Sequence, residues 1–130
     1  IEIFSIFIIH WVADFIFQDE KWALGKSKNW DDLLMHTVTY SIIWIGVGLI
    51  WCLFDIENAS KIAGYILWFV PITFIFHTIT DYFTSRIVSK KFAKQEYGSA
   101  IPNIGAFSWI GFDQILHYLQ LFGTYWLLTK

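Results

Sequence analysis

Four long apolar runs divide this chain, and each carries, or is flanked by, a histidine with an aspartate four residues away. The runs cover residues 1–18, 33–54, 62–88 and 104–129; the pairs are His10 with Asp14, Asp32 with His36, His77 with Asp81, and Asp113 with His117. About 20 apolar residues cross a bilayer as a helix, so the runs predict an all-α integral membrane protein. Four helices with short connections most simply form an up-and-down bundle. Run one is short, and one further turn before Ile1 would complete it. Pro71 inside run three predicts a kink, not a stop. A β-barrel is excluded, because its strands alternate over about ten residues and these runs are apolar on all sides. Charged residues make up 15% of the 130 residues, against roughly a quarter in soluble domains. They gather between the runs, which leaves one transmembrane domain over 1–130 and no room for another.

Lysine and arginine set the expected orientation. Lys21, Lys26, Lys28, Arg86, Lys90, Lys91 and Lys94 flank one side of the bundle, and only Lys61 and Lys130 the other. By the positive-inside rule both termini lie outside the cytoplasm and the two longer loops inside it. Trp51, Trp68, Tyr125 and Trp126 then form an outer aromatic belt. Cys52 has no partner for an internal disulfide and reads as a small buried thiol. The net charge of −2 and the absence of a basic stripe exclude a nucleic-acid partner.

Residues four apart share a helix face, so each pair points one way. At 1.5 Å per residue, Asp14 and His10 lie roughly 6 and 12 Å inside the cytoplasmic end of run one, His36 roughly 5 Å into run two, and Asp81 and His77 roughly 8 and 14 Å from the same side in run three. Asp113 and His117 fall at similar depth. All four faces therefore meet in one layer. An ionisable group in hydrocarbon costs at least about 2.5 kcal/mol, and such groups persist when they pair, line a wet path or hold an ion. His10, Asp14, His36, His77, Asp81, Asp113 and His117 offer the imidazoles and carboxylates that zinc takes at about 2.0–2.2 Å, enough for one divalent metal plus a general base, or for two metals. Asp14, Asp81 and Asp113 are the candidate catalytic carboxylates. Asp32 sits at the membrane edge.

Gln18, Tyr40 and Ser85 lie one turn from these groups on the same faces. Gln114 adjoins Asp113, rotated by about 100°. Arg86, at the cytoplasmic mouth, either holds an anionic headgroup or snorkels to the interface, and snorkelling is the commoner behaviour. A metal-free network of Asp–His hydrogen bonds is the plainer account of the cluster, but polar contacts in membranes average only about 0.6 kcal/mol, a small return for seven ionisable groups. No H-E-x-x-H, C-x-x-C, P-loop or G-x-S-x-G is present, so nucleophilic serine or cysteine chemistry is not expected.

The motifs H-x3-D-F-x2-Q (His10, Asp14, Phe15, Gln18), then Trp22 and Lys26, His36, H-x3-D (His77, Asp81) and D-Q-x2-H (Asp113, Gln114, His117) resemble, in that order, a family of small bacterial and phage membrane proteins known as a domain of unknown function, number 3307. The resemblance covers nearly the whole chain and implies a helical fold in a bacterial inner membrane. A looser similarity to inner-membrane metal-dependent hydrolases implies only a metal.

Three functions fit. The first is a metal-dependent hydrolase acting on a lipid-like or phosphate-containing molecule from the cytoplasmic leaflet, with an aspartate as general base. The second is a component of ion, proton or metal transport, which the apolar outer half of the helices disfavours. The third is a structural or accessory subunit that meets partner helices or a second copy of itself.

Overall fold

A computed structural model describes residues 3–98, 101–102 and 104–130. Five helices are present, and no strand occurs among the described residues. They are α1 (Ile3–Trp11), α2 (Glu20–Gly25), α3 (Trp30–Phe54), α4 (Ala59–Ala93) and α5 (Ala106–Thr129). A π turn, Val12–Ile16, continues α1, and a short 3-10 turn, Ile56–Asn58, precedes α4. α4 packs along both α3 and α5, α1 rests on α5, and the π turn rests on α3.

The boundaries differ from the apolar runs for local reasons. Helical structure in run one ends at Ile16, where Phe17 N–H reaches back five residues to Val12 O (3.1 Å), so Gln18 lies outside it. The loop after run one contains α2, capped by the Asp19 carboxylate on Lys21 N–H (2.8 Å). α3 begins at Trp30, before the apolar run, because Asn29 Oδ1 caps Asp32 N–H (2.8 Å). α4 continues through Pro71 and on past Val88 to Ala93, where Lys90 and Lys91 suit the negative end of the helix dipole. It stops in a Schellman turn: Gln95 N–H bonds Phe92 O (3.0 Å) and Glu96 N–H bonds Lys91 O (2.9 Å). Gln95 takes the left-handed conformation there (φ 58°) that glycine usually supplies.

Packing is inverted relative to a water-soluble domain. The apolar interior is one small cluster of Ile6, Ala13, Tyr40, Trp44 and Leu121. The remaining buried side chains are mostly polar, including all four histidines, while Phe54, Leu53, Leu67 and Trp68 lie 63–86% exposed. Two segments, Trp30–Phe54 and Ile56–Ala93, are long and apolar enough to cross a membrane. Only 28% and 17% of their most apolar windows are buried, the opposite of what a soluble core helix shows. The apolar part of α1 is too short for that test, and α5 is not among the segments that pass it; α5 carries Asp113, Gln114, His117 and Gln120 along its length.

Candidate metal centre

The π turn, α3, α4 and α5 deliver their polar groups to one point. The π turn aims Asp14 inward; such a widened turn is a frequent mark of a functional position. His36 comes from α3, His77 and Asp81 from successive turns of α4, and Asp113 and His117 from successive turns of α5. Each of these residues is at most 9% exposed.

Asp14, His36, His77 and Asp81 place one donor atom each within 4.8 Å of one another. His36 Nε2 lies 3.1 Å from Asp14 Oδ1 and 2.9 Å from Asp81 Oδ2. His77 Nε2 lies 3.6 Å from Asp14 Oδ1, 3.5 Å from Asp81 Oδ2 and 3.1 Å from His36 Nε2. Metal–ligand bonds of about 2.0–2.1 Å give a tetrahedral site edges of about 3.3–3.4 Å, and the five measured spacings straddle that value. Hydrogen bonding accounts for them poorly. Two imidazole nitrogens 3.1 Å apart share at most one proton, and Asp14 Oδ1 is a buried acceptor with no hydrogen-bond partner among the described residues. The donor set therefore fits a divalent cation.

His10 does not join this group. Gln114 orients it: the amide donates Nε2–H to Asp14 Oδ2 (3.3 Å) and Asp113 Oδ2 (3.1 Å), and its oxygen accepts from His10 Nε2–H (3.0 Å). Flipping the amide would set its oxygen against two carboxylates. His10 Nδ1 is consequently the acceptor, and Tyr40 O–H donates to it (2.8 Å). Tyr40 also stacks on His77, with ring centroids 4.0 Å apart. His10, Tyr40 and Gln114 thus brace the donors without supplying one. Asp32 also stands apart: its carboxylate accepts from Asn29 Nδ2 (2.7 Å), a bond that belongs to the α3 cap. Arg86 folds back on Tyr82, donating to its carbonyl (2.7 Å) with the guanidinium 3.7 Å from the ring centroid.

Three polar contributors escape the pairing pattern. Lys26, at the end of α2, brings its Nζ 2.9 Å from Asp81 Oδ2 and 3.4 Å from His36 Nε2. Burial disfavours its charge, but the Asp81 and Asp14 carboxylates outweigh that and hold its pKa above the ordinary lysine value. By sequence it is one of three loop lysines, and only its place in the family motif sets it apart. Thr84 donates to Asp113 Oδ1 (2.5 Å); it sits one turn from Asp81 but three residues on, off the i, i+4 ladder. Farther up the bundle Gln120 Nε2 donates to Thr73 Oγ1 and Thr124 Oγ1, both 3.1 Å away. Polar side chains of α4 and α5 thus also pair with one another away from the cluster.

A cavity of about 350 Å³ opens beside the cluster, lined by Asp14, Asp81 and Asp113 and by Lys26 and Lys28. Gln18 and Ser85 line it as well, and Gln18 Oε1 and Ser85 Oγ are buried without a hydrogen-bond partner among the described residues.

The fold and the cluster define a class: an all-helical protein with an apolar exterior and a buried His/Asp set able to hold a metal. The chain belongs to the family described as "Protein of unknown function (DUF3307)", which matches it over residues 3–130. No curated protein and no solved structure matches it, and the looser similarity to inner-membrane hydrolases has no support from these comparisons.

Proposed function

We propose that this chain is a multi-pass protein of the bacterial inner membrane, spanned by α1, α3, α4 and α5 with both termini on the non-cytoplasmic side, and that it is a zinc-dependent hydrolase. Its substrate is a lipid-like or phosphate-containing molecule drawn from the cytoplasmic leaflet. The observation that carries the reading is the convergence of Asp14 Oδ1, His36 Nε2, His77 Nε2 and Asp81 Oδ2 at tetrahedral spacing beside a cavity walled by two lysines. The exposed apolar surface and the uneven distribution of lysine and arginine support the membrane placement. α4 has 35 residues, which at 1.5 Å each is about 52 Å. Against a hydrocarbon thickness of about 30 Å, its last turns, with Arg86, Lys90 and Lys91, emerge among the headgroups.

A zinc ion at such a site supplies Lewis acidity and a water of lowered pKa. Asp14, Asp81 and Asp113 divide between holding the ion and accepting the proton of the attacking water. Lys26 and Lys28 offer charge to an anionic group in the cavity. Elemental analysis of the purified protein in detergent, with His36→Ala and His77→Ala variants beside it, is the direct test. Metal in the wild type and less of it in both variants supports the reading and opens a screen of phospho- and acyl-lipids. A wild type that holds no divalent metal even after reconstitution ends it. One observation favours transport as a second reading: the Gln120, Thr73 and Thr124 trio carries polar groups outward from the cluster. Zinc uptake into liposomes that hold the protein separates the two.

A further inference from the structure

The donors on α5 remain unused by the four-donor site. Asp113 and His117 lie together on one helix face, and with Asp81 they form a second group whose donor atoms fall within 4.8 Å of one another. Asp81 belongs to both groups. Its Oδ2 faces His36 Nε2 (2.9 Å) and His77 Nε2 (3.5 Å), while its Oδ1 faces His117 Nε2 (3.7 Å). Such a carboxylate, one oxygen toward each of two donor sets, is placed to bridge.

The protonation pattern of His117 makes the second group more than a cluster of acids. Its Nδ1 lies 2.9 Å from the Asp113 backbone carbonyl. A carbonyl only accepts, so Nδ1 carries a proton, and Nε2 is the ring nitrogen left for a ligand. That Nε2 is buried, in a residue 1% exposed, and has no hydrogen-bond partner among the described residues. It points at Asp81 Oδ1. The buried Asp81 carboxylate calls for positive charge on this side, which either a proton on Nε2 or a cation between the two groups supplies. At 3.7 Å a proton on Nε2 gives an ion pair without a hydrogen bond, whereas a cation binds both atoms. The same spacing is close to the edge between two ligands of one metal ion. The third member, Asp113, is fixed by Thr84 through Oδ1 and by Gln114 through Oδ2 (2.5 and 3.1 Å), which orients a metal-binding carboxylate as outer partners usually do.

We propose that this cluster holds a second divalent cation, bound by Asp81 Oδ1, Asp113 and His117 Nε2, with Asp81 bridging it to the first. The proposal rests on the first position described under the proposed function. It assigns the two positions different tasks. The first has four protein donors, so a water joins it only as a fifth ligand or in place of one carboxylate. The second has three protein donors, and Asp81 and Asp113 border the cavity, so it keeps a coordination place for a substrate oxygen, as catalytic metal sites do. A pair of cations some 3.5–4 Å apart is the arrangement of many phosphoryl-transfer sites.

The test is metal stoichiometry of the purified, reconstituted protein with Zn2+ or Mn2+ alone, in the wild type and in His117→Gln and Asp113→Asn variants. Expected are two equivalents in the wild type and one in each variant. The retained equivalent also shows that the variant is folded around the first position. With Mn2+, the wild type gives the electron paramagnetic resonance spectrum of an exchange-coupled pair, and His117→Gln gives that of an isolated ion. A wild type with one equivalent that both variants keep overturns the second position and leaves the first intact. A wild type with none overturns both.

Discussion

Lys26 Nζ lies 2.9 Å from Asp81 Oδ2, the same oxygen that faces His36 and His77 in the four-donor group. An ammonium and a metal ion held there would share one carboxylate oxygen and repel each other. Unit charges about 4 Å apart interact by roughly 4 kcal/mol at an effective dielectric of 20, and screening in the cavity reduces this. Lys26→Met is expected to bind zinc about tenfold more tightly, a change of about 1.4 kcal/mol, measured by competition with a chelator of known affinity. If Lys26 instead serves to hold the cluster together, the variant binds zinc more weakly. Hydrolysis of an anionic substrate falls in the same variant if the lysine contacts that substrate.

The bracing role given to His10 separates it sharply from the other histidines. Both of its ring nitrogens are satisfied by neutral groups, Tyr40 and Gln114. His10→Gln and Tyr40→Phe should therefore keep the metal content of the wild type, whereas His36→Gln and His77→Gln lower it. Stability moves the other way around. Tyr40→Phe leaves His10 Nδ1 a buried acceptor without a donor, a loss of about 1–3 kcal/mol that appears as a lower midpoint of thermal unfolding in detergent. Loss of bound metal from His10→Gln with its helical content intact would move His10 into the donor set.

Gly25 fixes where Lys26 can stand. A Cβ at residue 25 would collide with the Asp32 carboxylate, so the end of α2 rests directly on the first turn of α3. Gly25 O also accepts from Lys28 N–H (2.7 Å) and Asn29 N–H (3.1 Å). Gly25→Ala pushes α2 off α3 at a cost of about 1–3 kcal/mol, the usual range for overpacking, and carries Lys26 away from Asp81. Its zinc affinity should shift in the same direction as that of Lys26→Met. Equal affinities in Gly25→Ala and the wild type would show that α2 does not position the lysine.

Much of the site is legible in the sequence because helix geometry is local. The i, i+4 spacing alone brings His77 to Asp81 and Asp113 to His117, with contacts of 3.5 and 3.4 Å, and the apolar runs locate α3, α4 and α5 to within a few residues. What stays hidden depends on contacts between elements. The Asp32 and His36 pair has the right spacing, but Asp32 turns to the Asn29 cap, a competition that spacing does not reveal. His10 has the right spacing too, and its fate is decided by Gln114, 104 residues away. Lys26 reaches the cluster only because a six-residue helix folds under the bundle, and a loop lysine carries no local mark of that. α4 also outlasts its apolar run, which stops at Val88: Ser89, Lys90 and Lys91 are polar, yet the helix carries on through them to Ala93.

The inverted packing supplies the sharpest test of the membrane placement. Ile75, near the middle of α4, is 53% exposed, and Ile79 one turn on is 49% exposed. Neither touches the polar cluster through any hydrogen bond or ion pair. In water, an arginine at an exposed helix position is close to neutral, within about 0.5 kcal/mol. In hydrocarbon the same arginine costs about 2.5–3.5 kcal/mol near the centre of a spanning helix. Ile75→Arg should therefore sharply reduce the fraction of protein that resists alkaline carbonate extraction from membranes, while Ile75→Leu does not. The metal site offers an internal control, since Ile75 lies on the outward side of α4 and away from His77. If Ile75→Arg expresses, folds and binds zinc like the wild type in the absence of detergent, this face of α4 meets water and the membrane placement is wrong.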